Sequence, residues 1–100
     1  MNKEFIKFLN EETYIYCKNL NEIKILIGVA HNNNLAIPDE ALSRIQKEWN
    51  NEKVIFTAHY NPYDDKPYLI WLFEDELPKW FSDDEINKLN IINFCDVFFV

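Results

Sequence analysis

The sequence predicts an α+β domain: a mixed sheet of about four strands, containing a β-hairpin and covered by three to four helices. Two hydrophobic periods and a length lead to that expectation. Apolar residues recur every three or four positions in several segments, which marks helices, and every second position in residues 54–60, which marks a strand. One hundred residues, 48% of them apolar and 16% aromatic, are enough for one core and not for two, so residues 1–100 are read as a single domain.

Residues 2–11 carry Phe5, Phe8 and Leu9 at helical spacing, with Ile6 widening the stripe. Residues 14–17 read as a strand. Asn19 then supplies an N-cap for a helix to His31 whose stripe is Leu20, Ile23, Leu26, Ile27 and Ala30, stopped by Asn32-Asn33-Asn34. Pro38 suits the first turn of a third helix, followed by Asp39 and Glu40 where the dipole favours anions. Its apolar face is Leu42, Ile45 and Trp49, and Asn50-Asn51 ends it. The alternating strand 54–60 leads into the proline-bracketed turn 61–67 and returns as an apolar strand 68–73, a hairpin with a long tip. Residues 74–81 form a connection with room for a helical turn, Ser82-Asp83-Asp84-Glu85 has the capping-box pattern of a helix buried through Ile86 and Leu89, and residues 91–100 close as a strand. Because both faces of that last strand are apolar, it is expected to be central or parallel.

The formal charge is −7, and nine of the ten cations are lysine, so the Arg forks that track phosphate are missing and direct nucleic-acid binding is not expected. The single glycine, Gly28, lies in an apolar run, which removes phosphate loops, dinucleotide fingerprints and nucleophile elbows together. No cofactor is expected. Residues 1–12 interleave Lys3, Glu4, Lys7, Glu11 and Glu12 with apolar residues, unlike a secretory signal, and no apolar run exceeds six residues, far short of the roughly 20 that span a bilayer. The expectation is a cytoplasmic protein with no membrane contact.

Candidate chemistry is sparse. Cys17, Cys95, His31 and His59 are nominally zinc-binding types, yet none lies within ten residues of another, so no metal site is expected and both cysteines are read as small core hydrophobes. Ser82 already has a capping role, which leaves no convincing serine nucleophile. Trp49 and Trp71 are read as core.

Charge distribution carries more. Residues 1–60 hold eight acids and seven bases, a balance of −1, whereas residues 61–100 hold nine acids and three bases, a balance of −6. Asp64, Asp65, Glu74, Asp75, Glu76, Asp83, Asp84 and Glu85 are therefore expected to gather at one end of the sheet into a negative field, with Tyr63, Trp80 and Phe81 as aromatic anchors. The ordinary alternative is turn chemistry, capping and solubility. The partner so implied is a protein with a basic surface.

The opening Phe5-Ile6-Lys7-Phe8-Leu9 helix, the strand 14–17 running directly into the helix 19–31, and the closing Ile91-Ile92-Asn93-Phe94-Cys95-Asp96 strand resemble a loose class of small acidic proteins encoded by phages and prophages of low-GC bacteria. Thirteen Asn, twelve Ile and nine Lys against four Ala agree with an AT-rich source. The class often has Gly where this chain has Asn34, and it has no catalytic signature. The resemblance implies a non-enzymatic inhibitor of a host defence nuclease, as anti-CRISPR proteins are. Two other readings stand beside it: an immunity protein or antitoxin that neutralises a toxin, and a small nucleotide-binding protein or enzyme using His59 and Cys17 in a pocket between sheet and helix.

Overall fold

A computed structural model describes residues 3–48, 54–61, 63 and 65–98. Helix α1 (Lys3–Leu9) buries Phe5 and Phe8 and stops in a Schellman turn. The Glu12 N–H donates to the Lys7 carbonyl at 2.9 Å and the Glu11 N–H to that of Phe8, with Glu11 itself at φ 66°. Strand β1 (Tyr14–Cys17) follows. Asn19 caps α2 (Leu20–Asn32), its side chain accepting the Glu22 N–H at 2.9 Å. That helix ends in a second Schellman turn, with Asn34 at φ 65° in the place glycine usually takes, and with Leu35 folded back into the core.

Helix α3 (Ala41–Glu48) starts later than the proline signal predicts. Glu40 has φ 59°, which no helix interior accommodates, so Pro38 to Glu40 form a turn instead of the first helical turn. The hairpin of β2 (Val54–Asn61) and β3 (Lys66–Phe73) is correspondingly longer, and its tip shorter, than residues 61–67 implied. Beyond β3, a 3₁₀ turn (Glu74–Glu76), α4 (Leu77–Trp80) and α5 (Asp83–Lys88) lead to β4 (Ile91–Asn93) and α6 (Phe94–Phe98). Among the described residues, three longer helices and three short ones thus accompany the sheet.

The closing strand is shorter than the sequence predicts. Only Ile91–Asn93 is extended, and the chain then turns helical, burying Phe94 and Val97 at a spacing of three. A run apolar on both faces does not distinguish a strand from a short helix. The Trp49 core placement, the Asn50-Asn51 stop and the last two residues of that run lie outside the described residues.

The sheet order is β3-β2-β1-β4, with β1 antiparallel to β2 and parallel to β4. The last strand is therefore parallel, as expected, but occupies an edge. Register puts Ile15, Cys17, Val54, Phe56, Ala58, Leu69 and Phe73 on one face. These join Phe5, Phe8, Ile23, Leu26, Ala30, Ile45, Phe94 and Val97 from α1, α2, α3 and α6 in one buried cluster. Each such large side chain contributes about 1.5–3 kcal/mol on burial. Trp71, expected in the core, is half-buried at its rim with the Arg44 guanidinium 5.6 Å from the ring centroid.

The opposite face carries Tyr14, Tyr16, Ile55, Thr57, Ile70 and Leu72. Because β3 and β4 are opposite edges, residues 74–90 have to cross this face, and Phe81 accordingly borders Thr57, Ile70 and Leu72. The crossover closes on β1, where the Tyr14 N–H donates to the Asn90 carbonyl at 2.9 Å and the Asn90 amide to the buried Thr13 hydroxyl at 3.3 Å. Among the described residues no helix is long and apolar enough to cross a membrane.

Candidate functional site

The crossover is built on local signals. Glu76 turns back so that its carboxylate accepts the Phe73 N–H at 3.1 Å, closing the 3₁₀ turn. Ser82 Oγ accepts the Glu85 N–H at 3.2 Å while Glu85 accepts the Ser82 N–H at 3.0 Å, the capping box that the sequence predicts. The Ser82 backbone N–H, and after it the Ser82 hydroxyl, bond to the Glu85 carboxylate and hold it below its ordinary range. Leu77 is the one buried side chain between residues 74 and 90, and the rest of the segment faces outward or lies half-buried.

The acids are not all at one end of the sheet. Asp65 precedes β3 and Glu74 follows it, and eight extended residues at about 3.3 Å each keep the two roughly 25–30 Å apart. Asp65 stays at the hairpin tip at φ 52°, accepting a hydrogen bond from the Tyr60 hydroxyl at 3.4 Å, with Tyr63 beside it 94% exposed. Asp64 lies outside the described residues. A continuous strand cannot return its two ends to one place, so the expected single cluster divides in two.

What the structure does bring together is the crossover set. Glu74, Asp75, Asp83, Asp84 and Glu85 are exposed, Glu76 is half-buried, and Trp80 stands among them 66% exposed. Residues 74–88 contain these six acids against Lys79 and Lys88, a balance of −4 in fifteen residues. Burial, and then the Glu74 charge, push the Tyr16 phenol up. Phe81, expected as an anchor, is half-buried on the second face of the sheet and so supports the crossover instead.

The thiol chemistry separates. Cys17 is buried on the core face, and burial together with the Glu22 charge pushes its thiol far up, whereas His59 belongs to the opposite face. No Cys17–His59 pair exists. Cys95 is exposed, contrary to the core expectation, because α6 turns Phe94 and Val97 inward and Cys95 outward. Its thiol lies 3.7 Å from Glu22 Oε2 at a cavity of about 280 Å³ shared with Tyr16, Lys18, Asn93 and Asp96. Glu22, only 7% exposed, also accepts the Lys18 N–H at 3.0 Å. Its Asn19-x-x-Glu22 spacing was the signal that could have marked it.

A second cavity of about 230 Å³ lies under Phe81, with Glu11, Tyr14 and His59 on its wall. The His59 ring nitrogen Nδ1 is 3.7 Å from the Glu11 carboxylate, which also accepts the Tyr60 N–H. Burial and the Glu11 charge raise the Tyr14 phenol. An open groove of about 360 Å³ follows β3 between α3 and α4, bounded by Arg44, Glu48, Ile70, Trp71, Glu76 and Trp80. Only Trp80 and Glu76 of that set were expected at a site. Among the described residues no three His, Cys, Asp or Glu side chains converge to hold a metal ion.

Against known proteins, the chain matches no family model, and neither curated proteins nor solved structures show a significant likeness to it.

Proposed function

We propose that this protein is a non-enzymatic, anti-CRISPR-like inhibitor of phage type, whose acidic crossover docks on a basic nucleic-acid-binding surface of a host defence protein in the cytoplasm. The observation that carries the reading is the crossover itself: six carboxylates against two lysines, with an exposed indole among them, held across one face of the sheet. At about 8 Å a pair of opposite charges is worth about 0.5 kcal/mol in water and about 0.2 kcal/mol at physiological ionic strength. Four net charges then supply about 1 kcal/mol at physiological salt and about 2 kcal/mol at low salt, enough to steer and orient a partner. Trp80 is the anchor that converts steering into residence time. The non-enzymatic reading is supported by the separation of Cys17 from His59 on opposite sheet faces and by the commitment of Ser82 Oγ to the α5 cap.

The test is competition between the protein and an oligonucleotide for basic host nucleases. Asp83→Asn with Asp84→Asn leaves the Ser82–Glu85 box in place and removes two charges. Inhibition is expected to weaken in that variant and to fade as salt approaches about 0.5 M. Inhibition indifferent to both changes sinks the electrostatic reading.

A further inference from the structure

We propose that the groove between α3 and α4 is an arginine-binding site, in which a guanidinium from the basic protein partner stacks on Trp80 and pairs with the carboxylates of Glu76 and Glu48. This rests on the reading above and names the side chain that the acidic surface selects.

Three features of the groove converge on that ligand. First, Trp80 is 66% exposed at its mouth, and among the described residues no cation stands over its ring. Indole is the best of the aromatic faces for a cation. Second, the groove already holds one cation–indole contact, with the Arg44 guanidinium over the Trp71 ring 5.6 Å from its centroid, so the same chemistry is in use on its wall. Third, Glu48 and Glu76 outnumber Arg44 on the walls, and Glu74 and Asp75 continue the negative charge directly beside them. Glu76 Oε1 accepts the Phe73 N–H at 3.1 Å, which ties the carboxylate to the end of β3, and a carboxylate has a second oxygen with which to accept from a ligand.

Two carboxylates against the single Arg44 disfavour a phosphate, and the apolar lining of Ile70 and Trp71 disfavours a strongly hydrated ammonium. A guanidinium is planar, weakly hydrated and able to stack and to donate to carboxylates at the same time. The site therefore prefers Arg to Lys, whereas a purely electrostatic acidic surface treats the two alike.

The experiment uses hexa-arginine and hexa-lysine peptides titrated into the full chain at low salt, followed through the Trp80 indole N–H resonance. Hexa-arginine is expected to bind about fivefold more tightly than hexa-lysine and to shift that resonance. Trp80→Ala, an exposed position, should abolish the Arg preference, and Glu76→Gln, whose amide oxygen still accepts the Phe73 N–H, should reduce it. Equal affinity of wild type for the two peptides, or an Arg preference that survives Trp80→Ala, overturns the groove. If Trp80→Ala is silent while Asp83→Asn with Asp84→Asn weakens both peptides, the groove fails and the acidic reading stands. If neither peptide binds wild type, both fall.

Discussion

Leu77→Ala is the substitution that asks whether the acidic surface is a separate structural layer. Leu77 is 5% exposed, and no other side chain from residues 74 to 90 is buried. Removing three carbons' worth of buried hydrocarbon at about 0.8 kcal/mol each gives about 2.4 kcal/mol before any cavity contribution. The neighbours of Leu77 in the crossover are exposed or half-buried, so the surroundings can collapse, and the loss should fall near the lower end of the Leu→Ala range, about 2–3 kcal/mol. The core cluster on the other face does not include Leu77. The loss is therefore local: the crossover should open before the sheet does.

Native-state hydrogen exchange reads this directly. The Phe81 N–H, bonded to Leu77 at 2.9 Å, and the Ile86 N–H, bonded to Ser82 at 2.9 Å, should exchange roughly 30-fold or more faster, the ratio that 2 kcal/mol implies. Amides of β1 and β2 should change far less. A uniform loss of protection across sheet and crossover would show one cooperative unit and refute the layer argument, and unchanged exchange at Phe81 would refute the burial estimate itself.

Other outcomes follow from single positions. Gly28 is mid-helix with open space where an alanine Cβ would stand, nothing lying within 4 Å of it, so Gly28→Ala should raise stability by about 0.5–1 kcal/mol in urea unfolding. Asn34 at φ 65° tolerates Gly but not a β-branched side chain, and Asn34→Val should cost about 1–2 kcal/mol by the same measurement. Because the Glu85 carboxyl is held low in the folded state, its contribution is present above the unfolded carboxyl range and lost as pH falls through the folded value. Ser82→Ala should move the Glu85 midpoint up in an NMR titration. A disulfide reagent should label Cys95 in the native protein and Cys17 only after unfolding, since Cys95 is exposed and Cys17 is buried with a raised thiol pKa.

Local chemistry explains why much of the fold was legible. Asn19 and Ser82 cap as their neighbours dictate, and the alternation of residues 54–60 sets which side of β2 meets the core. Ile91 to Phe98 were misread because a run of continuous hydrophobicity has no period to read, and the helical turn from Phe94 sets its ring against Phe98, which in turn meets Phe5 of α1. Glu40 failed for a different reason. Only the positive φ forced by the turn after Pro38 delays α3, and no residue type announces it.

The acidic residues show where reading a chain in order stops being informative. Asp65 and Glu74 are nine positions apart, close enough on paper to share a surface, yet the strand between them is extended and holds them at its two ends. Glu74 and Asp83 are equally separated, but the chain from Glu74 to Trp80 is helical, rising about 1.5–2 Å per residue, with only Phe81 and Ser82 extended before Asp83, and so holds them closer together. Equal separations in sequence thus become unequal distances because of backbone state alone. The same topology decides what the patch can do. Since β4 must pair with β1 at the far edge, the acids of residues 74–88 are carried across the sheet as a stripe and pass the groove that holds Trp80. A partner recognised there meets charge and an aromatic surface together, which a cluster at the hairpin tip would not have offered.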